Sequence, residues 1–168
     1  MKWITTSQFR IVLVIVAAMF FAGGVTQATS PHFIKVTATL VGNDVVVSWK
    51  EAGLGDNQNI DYVASADATA TFHCVNNGGN CPNADNKVTV AGPVTAEGTF
   101  SSGKNGSITA SLTLEPPGPG GFSCPGGQTV TLADFSFTNI KITDKTNNIS
   151  QTATPSAISA TVFVCPGP

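Results

Sequence analysis

Four cysteines carry the clearest chemistry in this chain of 168 residues. They are Cys74, Cys81, Cys124 and Cys165, an even number that predicts two disulfides in an exported protein. Four cysteines allow three connectivities. The turn-forming segment VNNGGN favours a bond between Cys74 and Cys81, which leaves Cys124 to pair with Cys165. Zinc is the competing interpretation, but no Cys-x-x-Cys pair is present, and we expect neither a metal nor another cofactor.

Catalysis by a nucleophile needs a base held against it, and the chain has only two histidines, His32 and His73. The residues best suited to a hydrolytic site are His73, Asp67 and Glu51. No Gly-x-Ser-x-Gly motif accompanies them, and no spacing singles out a pair among the ten carboxylates. We therefore expect a protein that is not an enzyme, with a secreted hydrolase as the more distant alternative.

The polar loop over residues 51–61 is a weak candidate for a calcium site. Its oxygen-bearing side chains include Asp56, Asn57, Asn59 and Asp61, and hard cations prefer several such oxygens from one flexible loop. Gln58 occupies a position where an EF-hand has Asp or Asn, so the register of that motif fails. A solvated turn is the preferred interpretation of this loop.

Aromatic residues provide a possible sugar platform. The candidates are Trp49, Tyr62 and Phe122, and Phe122 lies in a segment rich in proline and glycine with no evident core to join. Trp49 and Tyr62 have the alternation of core residues. A carbohydrate-binding domain is therefore the first alternative function.

The ends and the charge define the compartment and exclude some partners. Residues 1–28 combine a basic start, an apolar run over 11–22 and small residues before position 29, which predicts a cleaved signal peptide. The run is too short for a membrane span, so residues 29–168 form the predicted secreted domain, with no membrane attachment after cleavage. That domain has six scattered lysines and ten acids, a formal charge of −4 that argues against nucleic-acid binding.

Alternation of apolar and polar residues dominates the predicted domain and indicates an all-β fold. A hairpin is predicted over residues 32–50 with its turn at 42–44, and a second hairpin over 94–114 with its turn at 101–106. A strand over 62–74 presents alanines on one face. We expect a two-sheet antiparallel sandwich with immunoglobulin-like layering, about eight strands and two disulfides.

Three further features mark strand ends and irregularities. Gly92-Pro93 predicts a break in a strand, and the change of parity near Ala133 and Asp134 predicts a bulge or a break into two strands. A β-branched strand is expected over 158–165. The loops 51–61, 75–86 and 116–127 are the expected binding regions, and two of them are expected to share one end of the sandwich around Phe122.

Four segments resemble a family of small uncharacterised secreted bacterial proteins. They are KEAGLG (50–55), SADATATFHC (65–74), PPGPGGFSCPGGQ (116–128) and FTNIKITDKTNN (137–148). The resemblance implies export from a bacterium and carries no known activity or site residue. The expected function is a non-enzymatic extracellular binding or surface-interaction module. We expect a monomer whose partner is an unidentified extracellular molecule or a glycan.

Overall fold

The computed structural model describes residues 30–82 and 86–166. In these ranges the segments of alternating apolar and polar residues form eight β-strands. A single 3₁₀ turn, Gly103–Asn105, is the other regular element in these ranges. The strands are β1 His32–Val41, β2 Asp44–Ala52, β3 Asn59–Asn76, β4 Lys87–Ser101, β5 Ser107–Leu114, β6 Gln128–Asp144, β7 Ile149–Thr152 and β8 Ile158–Thr161. The signal peptide prediction lies outside the described residues.

The strands form two antiparallel sheets, which confirms the predicted two-sheet sandwich. The smaller sheet has the order β1-β2-β5. The larger sheet has the order β4-β3-β6, and the far edge of β6 pairs with β7 and β8 in succession. The predicted β1–β2 hairpin is confirmed, and Gly42 in its turn has a positive φ of 63°, which glycine adopts without steric cost.

The core lies between β2 and the faces of β3 and β6. The inward face of β3 is a run of buried alanines, flanked by Tyr62 and Phe72. Small side chains let the facing sheet approach closely, and the larger residues that fill the interior come from β2 and β6. They are Val45, Val47 and Trp49 of β2, and Phe135, Phe137, Ile140 and Ile142 of β6.

Two irregularities keep the apolar face of β6 inward. Thr71 pairs with Asp134 but Phe72 pairs with Leu132, so Ala133 is an extra residue, and the predicted bulge is confirmed. A second shift surrounds Asn139, which has φ 55°. This second shift changes the parity of β6, so that apolar residues on both sides of it point into the core.

The second predicted hairpin is wrong. β4 pairs with β3 and β5 pairs with β2, so residues 101–106 cross from one sheet to the other. Buried Ser102 holds this crossing: its Oγ donates to the Gly55 carbonyl at 2.6 Å and accepts from the Gln58 amide at 2.9 Å. The glycine of the Asn-Gly pair, Gly106, ends the 3₁₀ turn in the left-handed conformation instead of closing a two-residue hairpin.

The predicted break at Gly92-Pro93 is also wrong, because β4 runs through it without interruption. Pro93 lies opposite Asp67 of β3, and β4 is an edge strand of the larger sheet. An edge position tolerates proline, since its missing N–H group can face away from the sheet.

Candidate functional site

Two disulfides are present, as predicted, but with a different pairing. Cys74 bonds to Cys124 and Cys81 bonds to Cys165, so the predicted Cys74–Cys81 and Cys124–Cys165 bonds are wrong. The loop after β3 closes without a disulfide: the Asn76 Oδ1 accepts from the amides of Gly78 and Asn80, each at 3.0 Å.

Strand geometry explains the observed pairing. Adjacent residues of a strand point to opposite faces of the sheet. Cys74 is 1 % exposed on the core side of β3, where the loop after β5 reaches it through Cys124. His73 lies on the outer side, where Cys81 and Cys165 join. Cys74–Cys124 therefore attaches to the core side of β3, whereas Cys81–Cys165 joins two irregular segments beside its outer side.

The disulfides gather several irregular segments at one end of the sandwich. We call this the disulfide end: residues 40–43, 77–82, 115–127 and 162–166. Val45 at the start of β2 pairs with Leu114 at the end of β5, and Asn76 at the end of β3 pairs with Gln128, which places these connections together. The loop at 53–58 precedes β3 and lies at the opposite end. Two of the three loops predicted to bind therefore share one end of the fold.

Exposed aliphatic side chains concentrate at the disulfide end. Five large apolar residues are exposed among those described, and four of them belong to this end. The four are Leu40, Val41, Val162 and Val164, and Ile34 is the fifth. Val164 is 73 % exposed in a segment that follows β8, which ends at Thr161 and not at position 165 as predicted.

The predicted sugar platform does not form. Trp49 is 2 % and Tyr62 1 % exposed, and their rings lie in the core with centroids 4.7 Å apart. Phe122 is half-buried and packs against the core, so the expectation that it has no core to join is wrong. Only part of the Phe122 ring is available at the surface.

The structure separates the three predicted hydrolytic residues. Asp67 and His73 are six positions apart on β3, which corresponds to about 20 Å along an extended strand. Asp67 accepts a hydrogen bond from Asn139 Nδ2 at 2.7 Å. Glu51 was expected in an exposed loop, but it is the fully buried penultimate residue of β2. These residues form no common site.

Glu51 belongs to a buried polar group that sequence reasoning missed. Tyr62 donates its hydroxyl hydrogen to Glu51 Oε2 at 2.9 Å, and Asp144 is fully buried opposite Tyr62 in the sheet register. The pKa of Glu51 is raised from 4.5 to about 7, chiefly by burial; the Tyr62 hydrogen bond lowers it and the neighbouring Asp144 raises it. Burial, followed by the hydrogen bond to Glu51, also raises the pKa of Tyr62.

The two buried acids differ in their hydrogen bonds. The Asp144 oxygens accept from the Asn147 amide at 2.8 Å and from Asn147 Nδ2 at 2.6 Å. Glu51 Oε1 has no partner of this kind among the described residues. The raised pKa of Glu51, due first to its burial, favours the protonated form of this side chain in the folded protein. The alternation along β2 does indicate that Glu51 is buried, because it continues the inward-facing series of Val45, Val47 and Trp49.

The residues proposed for calcium are divided between a turn and a strand. Asp56 and Asn57 lie in the loop, where Asn57 has φ 53°, whereas Asn59 and Asp61 belong to β3. The Asp61 carboxylate accepts from Thr99 Oγ1 at 2.6 Å. Asp61 also lines a shallow surface cleft of about 440 Å³ together with Glu97 and Lys145, at the end opposite the disulfides.

Within the described ranges, one cluster of three residues has side chains of the kind that bind metal ions, and it lies at the disulfide end. His73, Cys81 and Cys165 place one potential ligand atom each within 4.8 Å of the others. Both cysteines are oxidised to a disulfide here. The His73 Nδ1 atom is buried and has no hydrogen-bond partner among the described residues.

Comparison of the chain with models of protein families, with curated proteins and with solved structures found no match. The resemblance noted from the sequence therefore stays a prediction. Over residues 30–82 and 86–166, no helix has the length and apolar character needed to cross a membrane.

Proposed function

We propose that this chain is an exported, non-enzymatic binding module that contacts a protein partner through its disulfide end. The observation that carries the proposal is the concentration of exposed aliphatic side chains there: four of the five large apolar residues exposed in the described ranges. Apolar side chains in contact with water favour association, because covering them releases free energy of about 25 cal/mol per Å².

Rigidity at the disulfide end supports the same function. Cys124 fixes the proline- and glycine-rich loop, and Cys165 fixes the C-terminal segment that carries Val162 and Val164. Segments held before binding lose less conformational entropy when a partner docks. Irregular segments on a rigid scaffold are where binding residues concentrate in many proteins.

Export is part of the proposal. Disulfides persist in oxidising compartments and are rare in the reducing cytosol. Both disulfides lie in the part of the chain that follows the predicted signal peptide. The two disulfides and the sequence of residues 1–28 support the same compartment independently.

A protein partner fits the surface better than a glycan does. Sugar-binding sites commonly stack an exposed aromatic ring on the sugar, whereas Trp49 and Tyr62 are in the core and Phe122 is half-buried. The exposed residues at this end are valine and leucine, which make apolar contacts without the hydrogen bonds that sugars require. The disulfide end is therefore proposed as a protein-contacting surface.

Site-specific photo-crosslinking tests the proposal. A photoreactive amino acid is placed at Val164, at Val41, or at Ile34 as the exposed aliphatic control on β1, and each secreted protein is irradiated with the secreting cells. The expected result is one crosslinked protein band shared by positions 164 and 41 and missing at 34. The irradiation is repeated with an excess of protein that lacks the photoreactive residue. An excess of wild type should weaken the band, whereas an excess of the Val164→Asp variant should not. Equal crosslinking at position 34, or none at 164 and 41, would contradict the proposal.

A direct assay separates the glycan alternative. The mature protein is incubated with insoluble cellulose, chitin and peptidoglycan, and its retention is compared with that of Phe122→Ala. Retention that requires Phe122 would favour a carbohydrate-binding domain and would overturn the assignment to a protein partner.

A further inference from the structure

The Cys81–Cys165 disulfide lies near the His73 imidazole, which has one unpartnered ring nitrogen in the described ranges. His73 Nδ1 is buried without a hydrogen-bond partner in the described ranges, although a buried ring nitrogen ordinarily has one. The potential ligand atoms of His73, Cys81 and Cys165 lie within 4.8 Å of one another. Ligand atoms bound to one zinc ion lie about 3.5 Å from one another. A small movement of these side chains would therefore bring the three atoms to the spacing of a metal site.

The two disulfides differ in accessibility. Cys74 is 1 % exposed, so the Cys74–Cys124 bond is partly enclosed in the core. Cys81 and Cys165 are both half-buried, and both belong to segments outside the strands. Thiol–disulfide exchange requires access of a thiolate to a disulfide sulfur. Cys124 is also half-buried in a loop, so the Cys74–Cys124 bond offers one accessible side, whereas both residues of Cys81–Cys165 are half-buried. We therefore expect a reductant to open Cys81–Cys165 first.

We propose that opening the Cys81–Cys165 disulfide creates a binding site for one thiophilic cation, with His73, Cys81 and Cys165 as ligands. Two thiolates and an imidazole suit Zn²⁺ or Cu⁺, and they disfavour Ca²⁺ and Mg²⁺, which prefer oxygen ligands. The fourth position of a tetrahedral ion is left for water or an external ligand. The cation site does not depend on partner binding, although opening this bond also releases the segment that carries Val162 and Val164.

The chemistry balances with a dithiol as reductant. The dithiol attacks the Cys81–Cys165 bond through a mixed disulfide and is itself oxidised to a disulfide. Cys81 and Cys165 receive the two electrons and two protons and become thiols. The cation then binds both sulfurs as thiolates and displaces those two protons into solution.

The strand holds His73 in place while the cysteines adjust. His73 pairs with Lys87 of β4 and Thr131 of β6 in the middle of the larger sheet. The exposed Lys87 side chain can extend into solvent away from a bound cation. The sulfurs separate when their bond opens, and the segment 162–166 lies outside β8, so this movement leaves the sheet intact.

The test begins with limited reduction of the folded mature protein by dithiothreitol. Alkylation and peptide mapping should show Cys81 and Cys165 modified before Cys74 and Cys124, while tryptophan fluorescence stays native. The reductant is then removed without oxygen and Co²⁺ is added as a spectroscopic substitute for Zn²⁺. We expect one equivalent of Co²⁺ with a thiolate-to-metal charge-transfer band and the visible bands of a tetrahedral site, followed by displacement with Zn²⁺.

Matched variants identify the ligands. His73→Gln should weaken Zn²⁺ binding by roughly tenfold or more, since even the partners behind metal ligands contribute factors of 10 to 100. His32→Gln changes the other histidine of the chain, which lies near the start of β1, and should leave binding unchanged. The paired variant Cys81→Ser and Cys165→Ser should lose the charge-transfer band.

Three results would overturn the proposal. The first is reduced wild type that binds Zn²⁺ no more tightly than the paired serine variant. The second is His73→Gln with unchanged affinity and an unchanged cobalt spectrum. The third is opening of both disulfides together with loss of the native fluorescence, because the site requires a folded chain with only Cys81–Cys165 open.

Discussion

Replacing Glu51 by glutamine should stabilise the protein at neutral and alkaline pH. Glutamine has the size of glutamate, and its amide oxygen can accept the Tyr62 hydrogen bond that Glu51 Oε2 now accepts at 2.9 Å. The substitution removes a carboxyl group that is fully buried beside Asp144. It therefore removes the unfavourable free energy of ionising Glu51 in the core, with little change in packing.

The magnitude follows from the difference in pKa between the unfolded and folded chain. The pKa of Glu51 rises from 4.5 to about 7, chiefly because of burial. Each unit corresponds to 1.36 kcal/mol, so the carboxylate destabilises the folded state by about 3 kcal/mol once both states are ionised.

The direction of the Glu51 pKa shift determines the pH range in which stability changes. Below about pH 4.5 Glu51 is protonated in both states, and its full contribution to stability is present. Between about pH 4.5 and 7 the unfolded chain releases the proton while the folded chain keeps it, so stability falls as pH rises. Above about pH 7 the folded state is also ionised and the loss levels off.

Urea unfolding of the oxidised protein between pH 4 and pH 8 measures this effect. The free energy of unfolding of Glu51→Gln minus that of wild type should rise by about 3 kcal/mol across the range, because the other titrating groups cancel in the difference. Glu115→Gln is the matched control, since Glu115 is exposed, and its difference should stay flat. A flat difference for Glu51→Gln, or one that falls with pH, would refute the assignment of a buried, protonated Glu51.

Three other predictions concern export and packing. Mass spectrometry of the protein recovered from the medium should give an N-terminus near Thr29, whereas an intact Met1 in a membrane fraction would contradict export. Phe122→Ala should destabilise the fold by about 2 kcal/mol, roughly half the value for a fully buried phenylalanine, because the ring is half-buried against the core; an unchanged melting temperature would show that the ring contributes no packing. Gly53→Ala should be strongly destabilising in thermal melts, because its Cβ would overlap the Ser30 carbonyl oxygen at a positive φ of 78°. Gly42→Ala is the control at positive φ with open space, and an equal loss in both variants would exclude the overlap as the cause.

Alternation along each strand was sufficient to predict the fold class and most of the core. It identified the inward faces of β2 and β3, because side chains of a strand point to opposite faces in turn. It also located the bulge at Ala133, where the apolar parity changes. The same rule applied to Glu51 and Asp144 predicts burial, since each continues an inward apolar series, but the charge of these side chains led to a loop assignment for Glu51.

Strand pairing was less predictable, because pairing depends on contacts between distant residues. The Asn-Gly signal at 105–106 favoured a hairpin between β4 and β5. In the structure Ser102 is buried and bonds to the loop around Gly55, so the chain changes sheets at this point. The local preference of the Asn-Gly pair for a hairpin turn contributes a few tenths of a kcal/mol to about 1 kcal/mol. Burying the apolar side chains of β5 in the core contributes more, so the tertiary packing decides the pairing.

The disulfide pairing shows how face and distance combine. Separation along the chain favoured a short ring between Cys74 and Cys81, because a short loop closes with less loss of entropy. Face assignment leads to a different pairing. Cys74 shares the inward parity of Ala70 and Phe72, so its partner must come from a segment that returns to the core, and Phe122 brings Cys124 there. Cys81 is then left for Cys165, beside the outward-facing His73, which is the arrangement on which the proposed metal site depends.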